Sequence, residues 1–174
     1  MMTDNIFLFG FMGAGKSTVA RALVRRLHCP LAEMDEEIVK EQGMSINEIF
    51  EKYGEDRFRD IESQFILDLG KREPSVVSCG GGVVVRPENT RYMKKSGKVV
   101  YLQASPQTVY ERVKGSSSRP ILNGHMNVEY IAQLMERRRS LYEAAADTTI
   151  VTDGKNAEEI AAEIVDRLEG TYEV

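Results

Sequence analysis

Cysteine and histidine are scarce in this sequence, which has two of each among 174 residues. Cys29 and Cys79 belong to no C-x-x-C pair, and with two histidines they make a poor set of metal ligands, so buried free thiols in a reducing cytosol are the simpler expectation. No apolar run is long enough to span a membrane, and the apolar start over 6–12 lacks the basic residues that open a signal peptide. We therefore expect a cytoplasmic protein.

Basic residues are not in excess, since 23 Lys and Arg stand against 27 Asp and Glu for a net charge of −4. General nucleic-acid binding requires a basic stripe, so neither nucleic acid nor membrane is expected as a partner. The length and the 42% apolar content predict a single globular domain over 1–174. The short chain shows no obvious apolar surface helix, and we expect a monomer.

Short apolar runs alternate with helical patterns along the whole chain, which predicts β-α-β units and a parallel sheet with helices on both faces. The predicted strands are 5–9, 31–34, 75–79, 98–102 and 148–151. The predicted helices are 16–27, 36–42, 45–53, 56–71, 88–95, 106–114, 127–144 and 156–169.

A phosphate-binding loop follows the first predicted strand. Residues 10–17 read G-F-M-G-A-G-K-S and match G-x-x-x-x-G-K-[ST] at every fixed position. The glycines let the backbone wrap an anion, Lys16 supplies charge for the β- and γ-phosphates, and Ser17 offers its hydroxyl to Mg²⁺. A glycine-rich turn that matches by chance is the alternative. The residues expected to bind nucleotide here are Gly13, Ala14, Gly15, Lys16, Ser17 and Thr18.

Two absences narrow the class of phosphate-loop protein. No Asn-Lys-x-Asp motif occurs, which argues against a GTPase. The later strands end in Ser78-Cys79 and Leu102-Gln103, without the acid with which a motor ATPase usually holds Mg²⁺. The chain is also too short for a motor with its coupling elements.

Glu33 and Asp35 stand two residues apart at the end of the second predicted strand, so their carboxylates share one side of an extended segment. Strand ends open into the ligand crevice of a doubly wound sheet, where two acids could serve a metal shell and a proton acceptor. Alternatively, Asp35 only caps the following helix.

Two other segments supply further candidate residues. Arg59 has Glu55 one turn before it and Glu62 three residues after it, which on residues alone is compatible with a surface ion pair of little value. Gly80-Gly81-Gly82 follows the strand at 75–79, and there a ligand could press against bare backbone, or the glycines could form an ordinary tight turn.

A second arginine and a loop complete the candidates. Arg138 has largely apolar helical neighbours, so it either pairs with an acid in a structural salt bridge or holds a ligand carboxylate or phosphate. The segment Gly115-Ser116-Ser117-Ser118 has little to bury and leads into Arg119-Pro120. It is typical of a mobile loop that could close over the nucleotide, although an ordinary surface connection is the alternative.

Together these elements make the sequence resemble the shikimate kinase family over essentially its whole length. The motifs, in the family's order and spacing, are Gly10–Ser17, the acid pair around Asp35, Phe58-Arg59-x-x-Glu62, Gly80-Gly81-Gly82, Arg119-Pro120-Ile121-Leu122 and Arg138-Arg139-Ser140-Leu141-Tyr142. The resemblance implies a P-loop kinase three-layer fold, with a five-stranded parallel sheet flanked by helices. It also implies an acceptor-binding region at about 33–62 and a mobile lid at about 112–125.

The implied activity is transfer of the γ-phosphate of ATP to the 3-hydroxyl of shikimate, giving shikimate 3-phosphate and ADP on the route to chorismate and the aromatic amino acids. Asp35 would bind the hydroxyl and accept its proton. Arg59 and Arg138 would hold the shikimate carboxylate. Gly80, Gly81 and Gly82 would line the pocket with backbone.

The resemblance also implies the nucleotide and metal contacts. Lys16 and, from the lid, Arg119 would neutralise charge on the transferring phosphoryl group, with Mg²⁺ as cofactor. Arg112 would lie against adenine, with Lys155 and Asn156 near its second side. Ser17 would bind Mg²⁺ directly, whereas Glu33 would act through metal-bound water, and Ser78 would touch the same water shell.

The sequence departs from the family pattern at two positions. Glu33 stands where the family commonly has Asp, and Ser140 stands where it commonly has Pro. Two other functions remain open from the residues: another small-molecule kinase of this fold, such as a gluconate-type kinase, and a catalytically silent nucleotide-binding module. A purely structural protein would have no use for Lys16 and Ser17.

Overall fold

A computed structural model describes residues 2–11, 13–114 and 127–172. Most of the predicted lid at 112–125, including Arg119, lies outside these residues, so the lid prediction is not tested.

The strands among the described residues are β1 (Asn5–Phe9), β2 (Leu31–Glu33), β3 (Val76–Ser78), β4 (Gly97–Gln103) and β5 (Thr148–Val151). They form one parallel sheet in the order β2-β3-β1-β4-β5. This arrangement confirms the predicted α/β fold. Central β1 is buried along its whole length, which explains why its sequence is a continuous apolar run rather than an alternating one.

Helices connect the strands close to the predicted bounds. They are α1 (Lys16–Leu27), α2 (Met34–Gln42), α3 (Ile46–Tyr53), α4 (Glu55–Leu69), α5 (Pro87–Ser96), α6 (Pro106–Val113), α7 (Val128–Ala145) and α8 (Ala157–Tyr172). A short 3₁₀ turn at Val83–Val85 was not predicted. In the described part of the chain, no helix is both long and apolar enough to cross a bilayer.

The strand order sets the position of the site. β1 lies between β3 and β4, and because all strands are parallel their carboxyl ends meet at one edge of the sheet. The phosphate loop leaves β1 there, α2 leaves β2, and the glycine triplet leaves β3. Segments far apart in sequence are thereby brought to one crevice.

The two thiols differ in environment. Cys79 at the end of β3 is buried, as predicted, and burial raises the pKa of its thiol, so it stays protonated. Cys29 is only half-buried, so the expectation of a buried thiol is wrong there. Its position just before β2, at the edge of the sheet, leaves it without a covering strand on one side.

Candidate functional site

A cavity of about 520 Å³ opens at the carboxyl edge of the sheet. It brings together most of the residues predicted from sequence. Its lining includes Gly13, Gly15, Lys16, Ser17, Thr18, Glu33, Asp35, Arg59, Gly80, Gly81, Gly82, Arg112 and Arg138. Ala14, also predicted, is a buried residue of the loop itself, 2% exposed, and does not line the cavity. α3 contributes Asn47 and Phe50 to one wall.

The phosphate loop owes its shape to two glycines in the left-handed region, Gly13 at φ 79° and Gly15 at φ 89°. Residues with a Cβ rarely adopt these angles. Lys16 donates to the backbone carbonyl of Gly10 at 2.9 Å and lies 3.4 Å from that of Phe11. The lysine charge is thus held over the loop at the N-terminus of α1, where backbone amides and the helix dipole also favour an anion.

Oxygen atoms converge where the loop meets β2 and β3. The Ser17 hydroxyl donates to Glu33 Oε2 at 3.0 Å and lies 3.4 Å from the hydroxyl oxygen of Ser78. Arg21 approaches Glu33 at 3.9 Å. Hydroxyl and carboxylate oxygens suit Mg²⁺, which keeps several waters and takes few protein ligands. In the described ranges, no group of three or more acidic, Cys or His side chains could by itself hold a metal ion.

Asp35 lies inside the first turn of α2 rather than at its cap. The helix begins at Met34, two residues earlier than predicted, and its cap residue is Glu33. The helix-cap interpretation of Asp35 is therefore wrong. The Asp35 side chain lines the cavity, beside the turn that carries Gly80.

Arg59 and Glu62 form a buried ion pair on α4. Their closest atoms are 2.6 Å apart, and the two residues are 6% and 0% exposed. Glu55 adds a second contact with Arg59 at 3.1 Å from the surface side. The alternative of a surface pair is wrong, because α4 turns this side of the helix inward to the cavity.

Burial dominates the electrostatics of this pair. Loss of water raises the pKa of Glu62 to about 7, although Arg59 opposes the rise. Burial also lowers the pKa of Arg59, but the two glutamates outweigh that effect and the pKa is raised. Glu62 Oε2 and Arg59 Nε have no hydrogen-bond partner among the described residues. Buried polar atoms without a partner are uncommon in folded proteins, and both of these belong to residues that line the cavity.

The glycine triplet makes room for the charged groups of the site itself. A Cβ on Gly82 would lie 2.4–2.6 Å from three atoms of the Arg59 guanidinium. A Cβ on Gly80 would lie 3.0 Å from Asp35 Oδ1 and 3.1 Å from Glu62 Oε2. The turn is thus more than a connection, since side chains here would displace the groups that line the cavity.

Arg138 reaches the same turn from α7. Its Nη1 lies 3.5 Å from the carbonyl oxygen of Gly81 and 3.4 Å from the hydroxyl of Tyr142. Its guanidinium also lies over the ring of Phe11 at 5.9 Å. Within the described ranges it forms no ion pair with a carboxylate, so the structural salt bridge is not found there. An arginine held by neutral groups keeps its charge for an anion.

The residues predicted to contact adenine divide into two groups. Arg112 donates to the carbonyl of Gly13 at 2.9 Å and lines the cavity. Lys155 instead pairs with Glu163 at 2.8 Å, and Asn156 accepts from the backbone N–H of Glu159 at 2.8 Å in the first turn of α8. Neither lines the cavity. Both side chains are engaged in local contacts that stabilise α8.

Glu62 and Tyr142 stand in the family motifs, but neither was predicted to belong to the ligand site. Glu62 is buried beside Arg59, and the hydroxyl of Tyr142 donates to the carbonyl of Gly81 at 2.7 Å. For Glu62 the available signal was its spacing of three residues from Arg59 on a helix with an apolar stripe. For Tyr142 it was the spacing of four residues from Arg138, which places both on one helix face.

Comparison with known proteins shows the family. The model of the shikimate kinase family matches residues 12–169. A shikimate kinase of Geobacter sulfurreducens is 45% identical over 160 residues, which are 92% of this chain and 88% of that protein. The solved structure of shikimate kinase from Acinetobacter baumannii in complex with shikimate matches with a TM-score of 0.91 and 33% identity, over 98% of this chain and 95% of that one.

The same fold also occurs in a more distant protein. A gluconokinase from Sinorhizobium meliloti matches with a TM-score of 0.57 at 19% identity, over 98% of both chains. At that identity the match shows the shared fold alone. The family match over most of the chain, by contrast, confirms the resemblance inferred from the motifs: this chain belongs to the shikimate kinase family.

Proposed function

We propose that this protein transfers the γ-phosphoryl group of ATP to the 3-hydroxyl of shikimate, giving shikimate 3-phosphate and ADP for aromatic amino acid biosynthesis. The observation that carries the proposal is the pair formed by Arg59 and Arg138, here called the arginine pair. Both guanidiniums lie against one glycine turn, in the cavity that also contains the phosphate loop. Such a cavity suits an acceptor with one carboxylate that must meet a nucleotide.

The arginine pair would hold the acceptor by its carboxylate. Arg59 is prevented from turning away by Glu62 and Glu55, and Arg138 is prevented from doing so by Tyr142 and the Gly81 carbonyl. Guanidinium and carboxylate match in shape and charge, and burial strengthens their attraction. An acceptor without a carboxylate would leave Arg138 unpaired, which gives specificity for an acid.

Asp35 would orient the acceptor hydroxyl and take its proton as the hydroxyl oxygen attacks the γ-phosphorus. Phosphoryl transfer passes through a loose transition state, so positioning and charge stabilisation account for most of the catalysis. Lys16 would stabilise charge on the β- and γ-phosphates from the loop. We also assign a stabilising role to Arg119, in the proposed lid at about 112–125, where closure would exclude water as a competing acceptor.

The nucleotide contacts follow from the loop. Backbone amides of residues 13–18 would bind the phosphates, and Arg112 would lie against adenine. The loop that carries Lys155 and Asn156 would form the second side of the adenine site through its backbone, since both side chains are engaged elsewhere.

The oxygen cluster of Ser17, Glu33 and Ser78 fits Mg²⁺. Bound there with ATP, the ion would neutralise phosphate charge. Ser17 would be a direct ligand, because its proton is donated to Glu33 and its lone pairs remain for a metal. Glu33, held near Arg21, would orient metal-bound water.

We further propose a cytoplasmic, single-domain monomer with an acceptor-binding region at about 33–62, acting on small molecules without nucleic acid or membrane. The net charge of −4 supports the lack of nucleic acid as a partner.

ADP release from MgATP tests the proposed function, measured with shikimate, with gluconate and with no acceptor. ADP formed only with shikimate is the expected result. Equal turnover with gluconate would favour a gluconate-type kinase, and tight ATP binding without turnover would favour a silent module.

A further inference from the structure

One hydroxyl connects the arginine pair to the backbone of the glycine turn. Tyr142 is 1% exposed on α7, and its hydroxyl donates to the carbonyl of Gly81 at 2.7 Å. Arg138, one helical turn earlier, places its Nη1 3.4 Å from that hydroxyl and 3.5 Å from the same carbonyl. The guanidinium nitrogen, the phenol oxygen and the carbonyl oxygen thus form a triangle.

The bonds of this triangle differ in strength. The bond from the hydroxyl to the carbonyl is short, whereas both contacts of Arg138 lie at the long limit for hydrogen bonds. The phenol proton is therefore committed to Gly81, and the lone pairs of the hydroxyl are left for Arg138. Arg138 is steered by two neutral oxygens without having its charge cancelled.

The aromatic ring is held independently of the hydroxyl. Tyr142 makes edge-on contacts with Phe9 and Tyr101, with ring centroids 5.5 and 5.1 Å away. Burial raises the pKa of Tyr142, so the hydroxyl keeps its proton at working pH. Removal of the oxygen alone would leave this packing in place.

We propose that Tyr142 is a positioning residue for the acceptor: its hydroxyl fixes Arg138 against Gly81 and thereby sets where the arginine pair receives a carboxylate. The proposal rests on the proposed function, because it concerns the acceptor half of that site. It assigns Tyr142 no contact with the reacting atoms.

The test is Tyr142→Phe with Tyr101→Phe as a matched control. Tyr101 belongs to the same aromatic cluster and is 5% exposed, but its hydroxyl makes no hydrogen bond to another described residue. For Tyr142→Phe we expect the KM for shikimate to rise about threefold to tenfold, the size of one lost neutral hydrogen bond. The kcat and the KM for ATP should stay within about twofold, and Tyr101→Phe should leave both KM values unchanged.

Three results would overturn the proposal. The KM for shikimate could be unaffected in Tyr142→Phe. The KM values for shikimate and ATP could rise together, which would indicate general loosening. Alternatively, Tyr101→Phe could have the same effect as Tyr142→Phe, which would indicate a packing role.

A double-mutant cycle tests whether Tyr142 acts through Arg138. Calorimetry would compare shikimate binding to Arg138→Ala with binding to Arg138→Ala/Tyr142→Phe. No further weakening is expected in the double variant, and weakening by the same factor as in the wild-type background would contradict the proposal.

If the wild-type protein forms no ADP with shikimate, the proposed function fails and this inference fails with it. Turnover by wild-type protein with an unaffected Tyr142→Phe rejects the inference alone.

Discussion

Gly82 shows how one residue without a side chain can determine the position of a charged group. Its φ of −99° is open to any residue, so conformational freedom does not explain the glycine. The missing Cβ does, because it would lie 2.4 Å from Nη2 of Arg59. The absence of a side chain at Gly82 therefore determines how closely the Arg59 guanidinium can pack against the turn.

Gly82→Ala should therefore displace the Arg59 guanidinium and raise the KM for shikimate by about tenfold or more, the effect of misplacing a charged hydrogen bond. Steady-state kinetics with shikimate and ATP varied separately would measure it. Gly70→Ala is the control, since a Cβ there would approach its nearest neighbour no closer than 3.4 Å. An unchanged KM in Gly82→Ala would mean that Arg59 can move without cost to binding.

Asp35 offers the most direct test of chemistry. Asp35→Asn keeps the shape of the side chain but removes the proton acceptor, so kcat should fall by about 10²–10⁴ while the unfolding midpoint is unchanged. Glu37 lies in the same helical turn but pairs with Arg72 outside the cavity. The control variant Glu37→Gln should therefore be almost fully active. Near-normal turnover of Asp35→Asn would contradict the proposed base.

The raised pKa of Glu62 should make the stability of the protein depend on pH. A carboxyl whose pKa is about 7 when folded, against an ordinary value of 4.5, binds protons more tightly in the folded state. Its contribution to stability is complete below pH 4.5 and is lost as the pH rises to about 7. At 1.36 kcal/mol per pKa unit, the loss amounts to at most about 3 kcal/mol.

Chemical denaturation at several pH values between 4.5 and 7 would measure this slope. Glu62→Gln has no group that titrates, so its free energy of unfolding should vary less across the same window. Equal slopes in the two proteins would assign the pH dependence to other groups.

At the scale of elements, the predicted strands and helices agree with the structure to within about two residues at most ends because local signals determine them. The β-α alternation, the glycines after helices and the buried strand at β1 are all readable from neighbours in sequence. The shift in the start of α2 has a local cause too: Asp35, Glu36 and Glu37 favour the first helical turn as much as a cap.

The burial of Arg59 could not be predicted in this way. An arginine and a glutamate spaced three residues apart can form an ion pair on an exposed or on a buried helix face, so the spacing does not distinguish the two. The room for the Arg59 guanidinium against this face is left by Gly82, more than twenty residues later, where a Cβ would overlap it. Contacts between residues this far apart in sequence determine the shape of the site. They could be predicted only through the resemblance of the motifs to a known family.

α3 provides a prediction at this scale. Ser45 and Glu48 form a capping box at its N-terminus, and the helix supplies Asn47 and Phe50 to the cavity. Ser45→Ala should cost about 1 kcal/mol of stability and lower the Tm by about 2–4 °C. Calorimetry of this variant beside Ser140→Ala, an exposed serine within α7, would measure it. Equal Tm values would show that the box contributes nothing.

At the scale of the whole molecule, the cavity lies at the carboxyl edge of one sheet and is completed by side chains from the helices around that edge. A ligand bound there contacts segments attached to β1, β2 and β3 together. Binding should therefore stabilise the fold as a unit. At a concentration of 100 times the Kd, the gain is about 2.7 kcal/mol.

Shikimate and MgATP should each raise the Tm by about 5–10 °C at such concentrations. Differential scanning calorimetry would measure both shifts. In Arg138→Ala the shift with shikimate should be largely lost and the shift with MgATP kept. Loss of both shifts would mean that the variant is damaged beyond the acceptor site.

The bond between Tyr142 and Gly81 joins residues 61 positions apart, and its consequence concerns the order of folding. Contacts of such separation close large loops and form late, after local helices and turns. The acceptor site therefore does not exist in a half-folded chain, however much secondary structure that chain contains. Recovered turnover during refolding would report completion of the entire molecule, and the far-ultraviolet signal should return before it.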